Sequence, residues 1–284
     1  MIKVEKIAII GCGMMGNGIA QVAAQAGYQV AIQDLKDEFL QRGFKEINRS
    51  LNKMKEKGKI TSEAMTQILG RIKGVTDLKE AASNVDLVIE AVPEVLDLKK
   101  QVFKNLDETC PQHTILATNT SSLSISAIAS ATKRSDKVIG MHFASPVPVM
   151  MGVELIRGRD TSDETTETAQ EVCKKLGKDT FVALDFPGFA GNRLFPLFLN
   201  EAFYVIWEGI TTPEDLDRSV KVMLRHPMGP LELADFGGLD LLLNVLEYLH
   251  KEMGEKYRPC PLLKQLVAAG HLGRKTGRGV YKYD

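Results

Sequence analysis

The 284-residue chain is 44% hydrophobic and carries 36 basic against 36 acidic residues, for a formal net charge of zero. That balance excludes a global field for nucleic acid or an anionic membrane, so any polyanion must be met locally. Length and apolar content suffice for a full core and predict two domains.

No apolar run reaches the ~18 residues of a membrane span, and the first strand begins too early to leave room for a signal peptide. A cytoplasmic protein is therefore expected. Cys12, Cys110, Cys173 and Cys260 are scattered, with no C-x-x-C pair and no histidine at ligand spacing. This argues against a disulfide framework and against a metal site.

An apolar strand is expected over residues 6–10, followed by Gly11-Cys12-Gly13-Met14-Met15-Gly16, a helix over 18–27 and a second strand over 28–33. Strand, G-x-G-x-x-G loop and helix together form a dinucleotide-binding fingerprint. Gly11 permits the tight turn, Gly13 lets backbone approach a pyrophosphate, and Gly16 lets helix pack on strand. Met14 and Met15 lie within the same loop, ahead of a helix whose unpaired N–H groups suit phosphate. Asp34, eighteen positions past Gly16, is placed to hold ribose hydroxyls. Its charge repels a 2′-phosphate and favours NAD over NADP, with Lys36 as the one countervailing charge nearby.

A helical hairpin over 37–58 and 61–71 is inserted next. Its tip carries Lys53, Lys55, Lys57 and Lys59 against a single Glu56. Charge alone leaves two readings open: a contact for a phosphorylated substrate tail, or a solvated lysine face. Strands resume at 86–91, 114–119, 137–142, 152–156 and 180–185, with helical patterns between several of them. This alternation predicts an α/β fold with a doubly wound, Rossmann-type sheet. Ligands in such sheets sit beyond the carboxyl ends of the strands, which puts Glu90, Glu94, Asn119-Thr120-Ser121-Ser122 and His142 on the cofactor side.

Pro187-Gly188 marks the boundary between an NAD-binding domain over 1–186 and an all-α C-terminal domain over 187–284. Helices are expected there at 193–209, 213–224 and 239–253, with Asp235-Phe236-Gly237-Gly238 read as a break before the third. Apolar stripes such as Leu194, Phe195, Leu197 and Phe198 exceed what three helices cover internally, which suggests a homodimer.

His142 ends a buried-type strand, and Glu154 lies in the next apolar segment. An acid amid valine and leucine needs a partner, and a carboxylate bonded to imidazole fixes its tautomer and raises its basicity. The pair reads either as a general base or as a satisfied buried couple. The polar cluster 119–122 at one strand end, together with Asn192, favours a binding cradle; the alternative for its hydroxyls is helix capping.

The motifs Gly11 to Gly18, Ile89-Glu90-Ala91-Val92-Pro93-Glu94, Asn119-Thr120-Ser121-Ser122, Gly140-Met141-His142-Phe143, Pro146-Val147-Pro148-Val149-Met150, Pro187-Gly188-Phe189 with Asn192-Arg193, Pro227-Met228-Gly229-Pro230 and Gly273-Arg274-Lys275-Thr276-Gly277 with Gly279 stand in one order. On these the chain resembles the L-3-hydroxyacyl-CoA dehydrogenases, most closely the bacterial-type 3-hydroxybutyryl-CoA dehydrogenases, over nearly its whole length. The resemblance implies NAD-dependent, reversible oxidation of a 3-hydroxyacyl-CoA to the 3-ketoacyl-CoA. His142 would take the hydroxyl proton, Glu154 would orient it, and Ser121 and Asn192 would hold the substrate oxygen. It further implies NAD contacts at Glu94, Lys99 and Lys275, coenzyme A contacts at Ser50 and Lys57, and a homodimer. One departure stands out: the family usually has asparagine where this chain has Ser145, in the run His142-Phe143-Ala144-Ser145-Pro146. If that position contacts nicotinamide, Ser145 alters how the cofactor is positioned. Two rival readings remain, a crystallin-type dehydrogenase acting on a free sugar acid, and a dinucleotide sensor without catalysis. The lysine tip argues against the first, and the set His142, Glu154, Ser121 and Asn192 against the second.

Overall fold

A computed structural model describes residues 2–283. The chain divides into two compact units, 1–186 and 187–284.

In the first unit, β1 (Lys6–Ile10) is buried at four of its five positions, as a central strand with helices on both faces requires. The chain turns through the glycine loop into α1 (Met14–Gln25) and returns as β2 (Gln29–Gln33). The hairpin follows as α2 (Asp37–Glu56) and α3 (Ser62–Gly70). Leu40, Gly43, Ile47 and Leu51 form the buried stripe of α2, spaced three and four residues apart as one helix face demands. The Thr61 side chain accepts the Ala64 N–H at 3.2 Å and starts α3.

The chain then makes a short strand that the sequence reading did not expect, β3 (Ile72–Val75), on the outer flank of β2. Four residues interrupted by Lys73 and Gly74 give no period to detect. There follow α4 (Leu78–Ala82), β4 (Leu87–Glu90), α5 (Leu96–Thr109), β5 (Ile115–Thr118) and α6 (Ile125–Ala129). Then come β6 (Val138–Phe143), β7 (Gly152–Arg157), α7 (Asp163–Lys175) and β8 (Asp179–Leu184).

The eight strands form one sheet in the order β3-β2-β1-β4-β5-β6-β7-β8. Every neighbouring pair is parallel except β6 and β7. The link between these two, 144–151, is shorter than the dozen or so residues a parallel crossover needs, so the chain folds straight back. That reversal brings His142 opposite Glu154 in the ladder.

The second unit is all-α: α8 (Gly191–Trp207), α9 (Pro213–Leu224), α10 (Pro230–Gly237), α11 (Leu239–Met253) and α12 (Pro261–Ala268). Among the described residues it thus holds five α-helices where the sequence leads to three. Residues 235–237, read as a break, instead close α10, and only Gly238, at φ +102°, leaves the helix. Two short helices opened by proline, at Pro230 and Pro261, resemble turns in sequence. The core gathers Phe203, Leu231, Leu239, Leu246 and Leu263.

Candidate active site

At the carboxyl end of β1, Gly11 has φ +99°, and a Cβ there would stand 2.7 Å from the Ala91 carbonyl oxygen. A Cβ on Gly16 would run into the Gly11 carbonyl, so α1 can approach the strand only with glycine at that position. Gly13 differs, because nothing lies within 4 Å of where its Cβ would be. It is the exposed position where a ligand can meet backbone. No side chain caps α1, so its first N–H groups remain for an anion. Cys12 serves packing: its thiol meets α2 at Gly43, and burial, with Asp34 adding to it, pushes it up to about 12.

The Asp34 carboxylate accepts the N–H of Cys12 and that of Leu35, each at 2.7 Å. These bonds fix it at the rim of a cavity of about 1080 Å³ walled by Gly11, Gly13, Leu78, Leu98 and Val102. A glycine cradle, a helix N-terminus, a rim carboxylate and an apolar slot are the parts that pyrophosphate, ribose and adenine require, so these residues fit NAD.

The neighbouring strand ends carry the polar cluster. His142 Nδ1 and Glu154 Oε2 are 3.4 Å apart, the histidine side chain 24% exposed and the glutamate 3%. Asn119 Oδ1 accepts the Phe143 N–H at 3.0 Å, so this residue braces the strand that carries His142. Thr120, Ser121 and Ser122 all turn towards Glu94. Its Oε1 accepts the Thr120 hydroxyl at 2.6 Å, the N–H groups of Ser121 and Ser122 at 2.9 and 3.1 Å, and both serine hydroxyls at 3.2 Å. Burial would raise the Glu94 carboxyl, yet the Thr120 hydroxyl, Lys99 and the serine turn hold it below the ordinary glutamate value. Capping of α6 falls to Ser124, whose hydroxyl accepts the Ala127 N–H, so Ser121 and Ser122 are not cap residues.

Lys99 is 1% exposed, and its ammonium reaches Glu90 at 2.7 Å, the Val92 carbonyl at 3.2 Å and Glu94 at 3.4 Å. It therefore bears on the site through Glu94. The helical excursion places Ser50 half-buried on α2 and Lys57 just past its end; Lys53, Lys55, Lys57 and Lys59 are all exposed. Ser145 is exposed in the link between β6 and β7. In the second unit, Asn192 lies in the first turn of α8, and both Asp240 oxygens receive the Lys275 ammonium, at 2.5 and 2.6 Å.

Sequence reasoning missed Thr118 and the role of Thr120. Thr118 donates its hydroxyl to Glu90 Oε2 at 2.7 Å and, with Lys99, completes the satisfaction of a fully buried carboxylate. The available signal was an acid at the end of an all-apolar strand, which needs several donors to be buried.

A dinucleotide cradle beside an acid-backed histidine at the strand ends defines an NAD-dependent oxidoreductase that moves a proton alongside its redox step. Residues 6–186 match the 3-hydroxyacyl-CoA dehydrogenase NAD-binding domain and residues 188–283 the C-terminal domain of the same family. The chain belongs to the 3-hydroxyacyl-CoA dehydrogenase family. It is 50% identical to a probable 3-hydroxybutyryl-CoA dehydrogenase of Deinococcus radiodurans, over 98% of this chain and 100% of the relative. It is 47% identical to one from Bacillus subtilis, over 99% and 98%. The crystal structure of (S)-3-hydroxybutyryl-CoA dehydrogenase from Ralstonia eutropha superposes with a TM-score of 0.94 at 45% identity, covering 99% of this chain and 100% of that one. Among the described residues, no helix is long and apolar enough to cross a membrane.

Proposed function

We propose that the chain oxidises (S)-3-hydroxybutyryl-CoA reversibly to acetoacetyl-CoA, within fatty acid or butanoate metabolism. The observation that carries this reading is the antiparallel pairing of His142 with Glu154 at the strand ends beside the dinucleotide cradle. With Nδ1 directed to Glu154, His142 uses Nε2 to take the substrate hydroxyl proton. The buried carboxylate then stabilises the imidazolium that forms. Bound NAD supplies the acceptor for the two electrons of the neighbouring carbon–hydrogen bond. On this reading Ser121 turns its hydroxyl from Glu94 to polarise the substrate oxygen, and Asn192 is assigned to the same oxygen. In the reverse direction the imidazolium returns its proton to the forming alkoxide.

For the cofactor, Gly11, Gly13 and Gly16 with Met14 and Met15 form the phosphate loop, and Asp34 holds the ribose. Glu94, Ser145 and Lys275 are the further NAD residues of this reading, with Lys99 acting through Glu94. Ser50 and Lys57 are assigned to coenzyme A, and exposed lysines at the α2 tip suit its phosphates.

The test is the loss of NADH absorbance on mixing protein with acetoacetyl-CoA near neutral pH, repeated with NADPH and with free acetoacetate. Turnover with NADH and the thioester, and little with either replacement, is expected. Preference for the free acid would overturn the coenzyme A assignment, and preference for NADPH the role of Asp34. Glu154→Gln should lower kcat by roughly 10- to 100-fold, less than loss of the base itself. KM for the thioester should stay within about twofold, because the carboxylate acts through the imidazole and not on the substrate. An unchanged kcat would count against the dyad.

We also read the second unit as the dimerisation unit. Leu194, Phe195, Val222 and Met223 are 62%, 60%, 70% and 80% exposed, an apolar area that a second copy would cover. Light scattering should return about twice the 31.3 kDa chain mass, and a monomer at micromolar concentration would refute it. The cytoplasm suits four cysteines that are all free thiols.

A further inference from the structure

We propose that Lys178 is a positioning residue for the cofactor: its buried ammonium fastens the link 144–151, which carries Ser145, in place against the dinucleotide helix. Lys178 directly precedes β8 and is 8% exposed. Its Nζ donates to the Val147 carbonyl at 2.6 Å and to the Met150 carbonyl at 2.7 Å. Holding an ammonium against neutral carbonyls in a buried place is unfavourable by itself, so the contact is informative about what it fixes. What it fixes is one side of the link.

The opposite side rests on α1. Val147 is 2% exposed, and a Cβ on Gly18 would stand 3.0 Å from Val147 Cβ and 3.4 Å from Pro148 Cδ. Between these anchors the Val149 and Met150 N–H groups both donate to the Pro146 carbonyl, at 2.9 and 3.0 Å, which makes the link one compact turn. His142 and Glu154 lie outside it and are held by their own ladder pairing. Release of the link therefore disturbs cofactor binding and leaves the proton-transfer pair in register.

The inference rests on the reading that Ser145 faces the cofactor, and its test uses NADH alone, so failure of the substrate assignment leaves it decidable. NADH affinity, read from the cofactor's fluorescence, is measured for the wild type, Lys178→Met, Lys178→Arg and Gly18→Ala, with a thermal melt for each. Lys178→Met should weaken NADH about tenfold, the worth of one or two buried hydrogen bonds. Gly18→Ala, which presses on the link from the other side, should weaken NADH in the same direction. Lys178→Arg, which keeps charge and donors, should remain near wild type.

A second readout needs no unstable variant. Burial draws the Lys178 ammonium below its ordinary 10.5, with the Cys173 thiol of α7 acting the other way and Asp179 its neighbour in the chain. Wild-type affinity for NADH should thus fall at alkaline pH where that of Lys178→Arg does not, since guanidinium stays charged. Unchanged NADH affinity in folded Lys178→Met, or equal alkaline loss in wild type and Lys178→Arg, would overturn the proposal.

Discussion

His142→Ala should lower turnover by about 10²- to 10⁴-fold while NADH binds as it does to the wild type. The glycine loop, α1 and Asp34 line a cavity to which His142 does not contribute, so cofactor binding and proton transfer are separable in the geometry. Truncation also removes little that the fold depends on. The side chain is 24% exposed, and the ladder bonds of β6 are made by backbone. The double variant His142→Ala with Glu154→Gln should be as inactive as the single one, because Glu154 acts through the imidazole. Steady-state turnover, NADH titration and a melt on the same preparations separate these effects. Parallel loss of NADH binding in folded His142→Ala would refute the assignment of His142 as the base.

Legibility followed element length and sequence distance. The strands around the glycine loop could be read because each is a short, dense apolar run with glycine behind it, and α2 because its buried stripe extends over three turns. By contrast β3, α4 and α6, at four or five residues, are too short to show a period. Within the site, Glu154 was visible as an acid among valine and leucine. That it meets His142 depends on the reversal between β6 and β7, which follows from the shortness of the link. The Glu94 turn was not visible. Its contacts span 26 to 28 residues, and nothing local distinguishes a glutamate that binds a serine turn from one in solvent. Asn119 reads in sequence as part of a cradle, and its Oδ1 also braces the strand through the Phe143 N–H, a contact across 24 residues that nothing local announces. Lys178 gave no signal, since a lysine between glycine and aspartate reads as an ordinary exposed turn.

The other large effect is expected in the second unit, where Asp235→Ala should lower stability on the order of 3–6 kcal/mol. Asp235 is 1% exposed and accepts three hydrogen bonds from the chain's last residues: the N–H groups of Val280 and Tyr281 and the Tyr283 hydroxyl, each at 2.9 Å. Burial, reinforced by this bond, pushes the Tyr283 phenol up to about 12, so it stays a donor throughout the working range. Alanine would leave those donors without their acceptor, and the tail would open. The glycines of the last motif belong to the same clasp, because a Cβ at Gly279 would run into the Asp235 carboxyl group and one at Gly273 into its carbonyl. Asp217, 3% exposed, makes a second clasp: it accepts the Tyr281 hydroxyl at 2.8 Å and caps α10 through the N–H groups of Leu231 and Glu232. The opened tail carries Lys275 away from Asp240. Calorimetry should show the melt falling by on the order of 10 °C, with the C-terminal tail cut first by protease. A melt unchanged within about 2 °C would mean that the tail is held by its apolar contacts and that the Asp235 clasp is dispensable.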